Sequence, residues 1–346
     1  AVDLDLFPYR TEDPSGHNLV FIGGLDYWVN IDAACFLARE ILPRIQTTYP
    51  DTTLTLVGAN PSLEVQELTK LKGVIVTGRV PSMTTYLHQA TVAVIPLRTG
   101  FGMKFKTLES MAAGVPVVAS DRGLEGLTVE GNNVPLAALR ANSIEEYCTA
   151  ISSLFESAEL REKLSRNARK LIEDNYTWQQ AAAKYEQVLI ADALKSLGYL
   201  LVDIEREGRG LLRVTIENID YERPIDITDC EKVSRHLNYS LPVDNVNYDR
   251  LEVSSPGLDR PVKTVADHVR FMGLEANVKL RVAHAGRKNY VGVLQGLISG
   301  DADSVDAKLG LLIKNTDGSE AMFEFTLAEV EKTRLVPVVD FKGRKS

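Results

Sequence analysis

Short apolar runs alternate with amphipathic stretches from Asn18 to about Leu139. The runs are rich in β-branched and aliphatic residues without strict alternation, which is typical of parallel strands buried on both faces. The stretches between them place apolar residues at helical spacing. We therefore predict a doubly wound, Rossmann-like α/β fold for this part of the chain.

Three helices are predicted next, over Ser143–Phe155, Ala158–Asn175 and Thr177–Leu197, with Thr177 as the N-cap of the last. The third segment carries helix formers throughout, and no Gly, Pro or Ser-rich linker follows before Gly198. A domain boundary in this region would therefore lie inside or beside a helix.

The pattern changes at Tyr199, where apolar and polar residues alternate on both sides of the segment 208–210, which predicts a β-hairpin. A helix over Ile227–Ser240 and a strand in RLEVSS complete a small α+β unit. A short helix ending near Phe271 and five short strands follow, which suggest a small β-barrel or sandwich. We predict three domains, at 1–189, 190–256 and 257–346.

The chain has 346 residues, which is long for a single hydrophobic core and sufficient for two or three domains. Its formal net charge is -8, which argues against a general nucleic-acid binder. Lys and Arg number 17 against 22 Asp and Glu through Leu189, and 22 against 25 afterwards. Neither half is basic, so any contact with RNA would come from a local patch.

Three widely spaced cysteines, without a Cys-x-x-Cys pair, indicate neither a disulfide framework nor a zinc site. No run approaches the roughly 18 apolar residues of a membrane span. The first residues show no signal-peptide pattern, and the start of the chain looks truncated. We expect a cytoplasmic protein without a metal.

A glycine-rich loop stands between a predicted strand and helix in RTGFGMKFKTLES. Gly100 and Gly102 would let the backbone approach a diphosphate, and the helix start favours negative charge. Lys104 and Lys106 would add positive charge, and Glu109 could accept hydrogen bonds from ribose hydroxyls. A structural turn with solvated lysines would give the same pattern.

The order of IGGLDYWVNIDA, ILPRI, LTLVGANP, VIVTGRVPSMTTYL, VAVIPLRTGFGMKFKTLESMAAGVPVVAS and GLEGL resembles the carboxyl-terminal half of a family-four, retaining GT-B glycosyltransferase. The resemblance implies a metal-independent site for a nucleoside diphosphate-sugar such as a UDP- or GDP-sugar. It assigns that site to seven residues: Gly23, Gly24, Gly102, Met103, Lys104, Lys106 and Glu109.

This segment departs from the family pattern in two places. The usual basic pair of the first loop is absent from GGLDYWVN, and Phe101 stands where the first of two paired glutamates is expected. The acceptor-binding half of such enzymes is also missing from the sequence given. We therefore expect nucleotide binding at most. His17, His88 and Trp28 lack a partner pattern and are interpreted as packing or surface residues.

A stiff tract, LEVSSPGLDRPVKTVADHVRFMG, contains two prolines and a glycine. By composition it is a rigid interdomain linker, in which Arg260 could form a salt bridge or contact a partner. We assign the connector, or a surface that contacts a partner, to eight residues: Ser254, Ser255, Pro256, Gly257, Asp259, Arg260, Pro261 and Arg270.

From about Ile190 to the end, the chain resembles the ribosome maturation factor RimP family. The matching segments are ADALKSLGYLLVDIEREGRGLLRVTIEN, ITDCEKVSRHL, YDRLEVSSPGLDRPV, RFMG and VGVLQGLI. The resemblance implies an α+β domain, a small SH3-like barrel, and non-catalytic binding to the immature small ribosomal subunit. Its partners would be ribosomal RNA and a small-subunit ribosomal protein.

Three basic clusters could meet phosphate, although each could equally be a solvated face. They are Arg250, Arg260, Lys263 and Arg270; Lys279, Arg281, Arg287 and Lys288; and Lys342, Arg344 and Lys345.

Three interpretations stay open: an assembly factor carrying a glycosyltransferase half, a glycosyltransferase whose acceptor domain is supplied in trans, and an artificial or accidental join near Leu189. The lack of a flexible linker favours an abrupt join. We favour binding over catalysis.

Overall fold

The computed structural model describes residues 1–14, 16–131, 134–208, 210–221, 223–244, 246–284, 286–302, 307–314 and 318–337. It divides into two compact units, residues 1–182 and 183–346.

The first unit contains a parallel six-stranded sheet with the order β3-β2-β1-β4-β5-β6. Its strands are β1 (Asn18–Ile22), β2 (Thr53–Val57), β3 (Val74–Val76), β4 (Val92–Ile95), β5 (Val117–Ala119) and β6 (Leu139–Arg140). The central strands β1, β4 and β5 are almost wholly buried. The predicted doubly wound, Rossmann-like fold is confirmed.

Helices connect and cover these strands. They are α1 (Trp28–Phe36), α2 (Leu42–Thr48), α3 (Leu63–Glu67), α4 (Met83–Gln89), α5 (Phe105–Ala112), α6 (Ile144–Glu156), α7 (Ala158–Asn175) and α8 (Trp178–Leu197). A π-turn over Leu37–Ile41 joins α1 to α2, and a 3-10 turn over Leu68–Lys70 follows α3. The Thr177 hydroxyl accepts a hydrogen bond from Gln180 N at 3.2 Å, as expected of the predicted N-cap.

Helix α8 begins in the first unit and ends in the second. The apolar core of the first unit extends to Ile172, with Tyr176 packed against it. The next buried apolar residue is Ile190, which belongs to a separate core together with Leu194. The helix therefore contributes to the core of the second unit only from Ile190 onward.

The second unit begins with an α+β fold, as predicted. Its elements are β7 (Tyr199–Glu207), β8 (Leu211–Asn218), α9 (Ile227–Val243) and β9 (Arg250–Ser254). Strands β7 and β8 form an antiparallel hairpin, and β9 pairs with β8 in parallel. Helix α9 provides the crossover and buries Val233 and Leu237 in a core with Val214 and Ile216.

A helix and five strands follow: α10 (Val265–Arg270), β10 (Glu275–His284), β11 (Arg287–Ser299), β12 (Lys308–Lys314), β13 (Glu320–Thr326) and β14 (Val330–Leu335). The antiparallel sheet has the order β13-β12-β11-β10-β14. Among the described residues β13 and β14 do not pair, so the sheet is open and the predicted closed barrel is not confirmed.

Candidate functional site

The predicted nucleotide-sugar residues lie on loops after two neighbouring strands. Gly23 and Gly24 follow β1, whereas Gly102 and Met103 follow β4 and precede α5. Strands β1 and β4 are adjacent, at the point where the strand order reverses. The carboxyl ends of parallel strands meet at one edge of a sheet, and ligands of such folds bind at this reversal point.

The Lys106 ammonium group reaches the first loop from α5. It donates a hydrogen bond to Asn30 Oδ1, and Asn30 Nδ2 donates to the Gly24 carbonyl at 2.7 Å. A methyl group on Gly23 would lie 3.1 Å from Lys106 Nζ. The structure therefore brings Gly23, Gly24 and Lys106 together through Asn30, a residue that the sequence analysis missed. The sign of it in the sequence was the amide side chain of Asn30 among the apolar residues on the buried face of α1.

Burial shifts the titration of two charged groups here. It lowers the pKa of Lys106 to about 8, although the Glu109 carboxylate opposes the shift. Burial also raises the pKa of Glu109, against the effect of Lys106. The Lys106 ammonium lies 4.9 Å from the centroid of the Phe21 ring. A partly desolvated cation of this kind gains more from a bound anion than a solvated lysine does.

Lys104 makes different contacts from those of Lys106. Its ammonium donates to the Gly102 carbonyl and pairs with Glu125 at 3.3 Å, and its side chain is only 11% exposed. Met103 is 42% exposed beside the same turn. Of the two predicted lysines, Lys106 is the one that the structure places beside the first glycine loop.

Gly58, at the end of β2, is a second residue that the sequence analysis missed. A Cβ atom there would lie 1.7 Å from the Gly23 carbonyl oxygen. The first loop is held in this position by a hydrogen bond from Gly23 N to Val57 O at 3.0 Å. Only glycine at position 58 permits this close approach of two backbones.

Large apolar side chains are exposed on the same two loops and at the helix starts that follow them. They are Tyr27, Trp28, Phe101 and Phe105, exposed by 56, 59, 87 and 59%. Phe101 occupies the place of the expected glutamate, and the Arg122 guanidinium lies 5.1 Å from its ring centroid. A carboxylate is therefore replaced by an apolar ring at this edge.

His17 and His88 make structural contacts, in agreement with their interpretation as packing or surface residues. His17 Nδ1 lies 2.8 Å from Asp51 Oδ1, and its ring packs in tilted contact with those of Tyr49 and Phe155. His88 Nε2 lies 2.9 Å from the Pro8 carbonyl oxygen.

In the second unit, Arg260 and Arg270 converge on Glu217 of β8. Arg260 Nη1 donates to Glu217 Oε1 at 2.7 Å, while Arg270 donates to both carboxylate oxygens at 2.6 and 3.0 Å. Arg260 is 8% exposed. Both guanidinium groups also lie over the Phe271 ring. These two arginines join β8 to the connector and to α10.

The tract between Ser254 and Val262 is paired with β14. Pro261 forms a β-bridge with Arg334, and Val262 N donates to Thr333 O at 3.0 Å. The Asp259 carboxylate accepts a hydrogen bond from Arg334 at 3.0 Å. This tract is therefore a docked segment rather than a free linker.

Ser254, Ser255, Pro256 and Gly257 make up the first half of this tract. Gly257 does not have a positive φ, and a Cβ there would meet only Asp259 Oδ1, at 3.1 Å. A β-branched residue at 257 would strain the connector only if φ were positive there, and that condition is not met.

Two segments of the chain match known family models. Residues 16–157 match the model described as glycosyl transferases group 1. Residues 189–259 match the RimP N-terminal domain. Both resemblances inferred from the sequence are confirmed at this level. Residues 260–346 lie outside both matches, so the likeness of the last sheet to a second RimP domain stays a prediction.

Solved structures similar to this chain include glycosyltransferases. The C-terminal domain of a glycosyl transferase group 1 family protein from Francisella tularensis is 18% identical, with 51% of this chain and 100% of that chain covered and a TM-score of 0.41. Sucrose-phosphate synthase from Thermosynechococcus elongatus is 23% identical, with 55% of this chain and 51% of that chain covered and a TM-score of 0.42. A glycosyltransferase from Rickettsia africae is 13% identical, with 54% of each chain covered and a TM-score of 0.45. The chain thus spans about half the length of the last two.

The predicted basic clusters of the RimP-like unit differ in their pairing. Lys263 pairs with Asp203, and Lys279 pairs with Glu331 at 2.6 Å. Arg250, Arg281 and Lys288 are exposed and form no ion pair with described residues. The Arg287 guanidinium donates to Asn289 O and lies 4.9 Å from the Tyr290 ring centroid. The third cluster, Lys342, Arg344 and Lys345, lies outside the described residues.

None of the described helices has the length and apolar content needed to cross a membrane. The described residues also contain no group of His, Cys, Asp and Glu side chains that could hold a metal ion.

Proposed function

We propose that this chain is a non-catalytic maturation factor that binds the small ribosomal subunit during assembly. The observation that carries the proposal is the RimP N-terminal match over residues 189–259, which coincides with a folded α+β unit. Its partners would be ribosomal RNA and a small-subunit ribosomal protein, in the cytoplasm. The last sheet would act as the second, SH3-like domain.

Contact with RNA would come from the exposed cations on β10 and β11, because the unit as a whole is not basic. Arg281, Arg287 and Lys288 lie on the two paired strands of this hairpin, and none of them forms an ion pair within the described residues. Arg260 and Arg270 are already satisfied by Glu217, which makes them positioning residues of the connector. The connector would thus hold the α+β domain, residues 190–256, and the last sheet at a fixed angle for contact with the ribosome.

The test is co-sedimentation of the full chain with purified small subunits over a range of salt concentrations. Contacts with RNA phosphate predict binding that weakens steeply as salt rises. The double change Arg281→Glu and Arg287→Glu should reduce binding and flatten the salt dependence. Lys170→Glu, on the exposed face of α7, is the matched control and should leave binding unchanged. Salt-independent binding, or equal effects of both variants, would contradict the proposal.

For the first unit we infer binding of a nucleoside diphosphate or its sugar, such as a UDP- or GDP-sugar, without efficient transfer. The support is the placement of Lys106 against the two glycines of the first loop, with Glu109 one turn along α5. Lys106 and the α5 N-terminus would stabilise the diphosphate, and Glu109 would accept ribose hydroxyl groups. Gly102, Met103 and Lys104 would shape the loop around the ligand.

Calorimetric titration of the full chain with UDP and with GDP tests this inference. Lys106→Ala should weaken binding by about tenfold or more, as expected for the loss of one charge-assisted contact. Lys72→Ala, on an exposed turn before β3, is the control. If neither nucleotide binds at millimolar concentration, the site is a structural turn and nothing more.

The alternative is a retaining glycosyltransferase whose acceptor domain is a separate one. The observation in its favour is the set of exposed apolar side chains at the same edge, Tyr27, Trp28, Phe101 and Phe105, because a second domain could cover them. Release of UDP or GDP from nucleotide-sugars, faster than spontaneous hydrolysis, would favour this enzyme over a binding domain.

The two proposals predict separable fragments. We place the functional boundaries at 1–189, 190–256 and 257–346, whereas the contacts within the chain divide it after Ala182. Limited proteolysis followed by tests of each fragment would show whether nucleotide and ribosome binding reside in different fragments. Loss of both activities after a single cut in α8 would indicate one integrated function.

A further inference from the structure

A cavity lies at the carboxyl ends of β4 and β5, beside α1 and α6. Its volume is about 420 Å³, which falls within the range of small-molecule sites. None of the residues predicted to bind the nucleotide-sugar lines it. It is therefore a different feature from the cradle formed by Gly23 and Lys106.

Tyr147 of α6 forms the buried wall of this cavity. Its side chain is 1% exposed, and its hydroxyl group has no hydrogen-bond partner among the described residues. The neighbouring Ser120 hydroxyl donates to Leu97 O at 2.6 Å and accepts from Gly123 N at 3.0 Å, which leaves it one further acceptor position near the Tyr147 hydroxyl. Buried hydroxyl groups are nearly always paired, so the Tyr147 hydroxyl pairs either with that position or with a ligand in the cavity. The Tyr147 phenol is protonated at neutral pH and burial raises its pKa further, so the hydroxyl is available as a donor.

Two arginines stand at the rim, and both have free donors. Arg98 uses Nε and Nη2 to bind Asp32, so its Nη1 is unused, and its guanidinium lies 4.9 Å from the Phe36 ring centroid. Arg122 binds Glu125 through Nη1 at 3.3 Å, which leaves Nε and Nη2 without described partners. Contact with an aromatic ring, Phe36 for Arg98 and Phe101 for Arg122, restrains each guanidinium and reduces the entropy lost on ligand binding.

Two of the side-chain acceptors around the cavity are already engaged. Asn142 Oδ1 accepts a hydrogen bond from Asp121 N at 3.0 Å, and this leaves the Asn142 amide group as a donor. The Asp121 carboxylate is paired with Arg140. The unused N–H groups of Arg98, Arg122 and Asn142 are donors, and the charges of the two arginines are partly compensated by Asp32 and Glu125. A ligand with several negatively charged oxygens fits this arrangement.

We propose that this cavity is a second ligand site, which binds a small molecule through carboxylate or phosphate oxygens held by Arg98, Arg122, Asn142 and Tyr147. None of these four residues belongs to the nucleotide-sugar cradle, although Arg122 contacts Phe101 and shares Glu125 with Lys104. Occupation would give the Tyr147 hydroxyl an acceptor in the cavity.

The experiment is calorimetric titration of the full chain with inorganic phosphate and with citrate, against chloride at matched ionic strength. Saturable binding of phosphate, citrate or both supports the site. The probe with the higher affinity shows whether the site prefers phosphate or carboxylate oxygens. Tyr147→Phe and Arg122→Gln should each weaken that binding by about tenfold. Lys72→Ala, on an exposed turn before β3, should leave it unchanged.

Thermal unfolding of the unliganded Tyr147→Phe variant gives an independent measurement. If a ligand rather than Ser120 is the partner of the hydroxyl, its removal should leave the melting temperature equal or raise it. A lower melting temperature would show that the hydroxyl is hydrogen-bonded within the protein, and would overturn the proposal. So would the absence of saturable binding, binding that neither cavity variant weakens, or binding that Lys72→Ala abolishes.

Discussion

Glu217 and Arg270 are joined by two hydrogen bonds, of 2.6 and 3.0 Å, although 53 positions separate them in the sequence. The same carboxylate holds Arg260 at 2.7 Å. Glu217 is 16% exposed at its side chain and Arg260 is 9% exposed. One carboxylate of β8 therefore compensates two arginines, one of them in the connector and the other at the end of α10.

Glu217→Ala should lower the free energy of unfolding of the second unit by about 2–4 kcal/mol, because it leaves the buried Arg260 charge without its main partner. Both tryptophans, Trp28 and Trp178, belong to the first unit. In urea unfolding, the circular dichroism transition should therefore shift while the tryptophan fluorescence transition stays in place. Glu231→Ala, which breaks an exposed pair with Arg235, should cost less than about 0.5 kcal/mol. Equal losses of unfolding free energy in Glu217→Ala and Glu231→Ala would contradict this prediction.

Acid should remove the contribution of Glu217. Burial raises its pKa, but the hydrogen bonds from Arg270 and Arg260 outweigh burial, and the net pKa lies below the ordinary 4.5. A carboxylate with a depressed folded-state pKa stabilises the fold above its unfolded value and loses this effect as pH falls through the folded value. The stability difference between the natural chain and Glu217→Gln should be constant near neutral pH and shrink below 4.5. A difference that persists at lower pH would show that Glu217 is not titrating as expected.

Nucleotide binding at Lys106 should depend on pH near 8. Burial lowers the pKa of Lys106 to about 8, and a bound diphosphate would favour the charged form and raise it. Titrations with UDP near this pH, in buffers of different ionisation enthalpy, should reveal uptake of a proton, and the affinity should fall as pH rises further. Lys106→Met should abolish the uptake, while Lys72→Met should preserve it. Proton release, or no pH dependence, would exclude Lys106 from the site.

Gly58→Ala should damage the first loop, because its Cβ would lie 1.7 Å from the Gly23 carbonyl oxygen. We expect a loss of about 3 kcal/mol or more in the first unit, together with loss of nucleotide binding. Gly78→Ala is the matched control, since it has φ +71° but no atom within 4 Å of an added Cβ. It should cost only about 1–2 kcal/mol, from backbone strain alone. Fluorescence-detected urea unfolding compares the two, and similar losses would contradict the close-approach argument.

Trypsin should cut α8 first at Lys184. This residue lies in the exposed stretch of the helix before Ile190 and is the only Lys or Arg between Lys170 and Lys195. Because few apolar contacts hold the stretch, local opening should expose it to the protease. Mass spectrometry should find two folded products, and Lys184→Gln should delay the cut. An earlier cut elsewhere, or unfolded products, would show that α8 supports the fold more than its burial suggests.

Local periodicity was sufficient for much of the secondary structure. The helix predicted over Ala158–Asn175 has the same bounds in the structure, and Ser143–Phe155 is displaced by one residue to Ile144–Glu156. Helix α9 continues past the predicted Ser240 to Val243, despite Pro242, because Leu241 is drawn into the core. The predicted small β-barrel is not confirmed, since closure depends on pairing between β13 and β14 rather than on either strand alone.

The sequence by itself determined the alternation of strands and helices, the two family patterns and the position of the connector, because these depend on neighbours along the chain. Only the tertiary structure decided that Lys106 meets Gly23, that Lys104 turns to Glu125, and that Arg260 is buried against Glu217. These contacts depend on strand order and on crossovers that bring distant segments together. Residue type fixes which charges are available, but only packing decides which of them are already paired and which remain for a ligand.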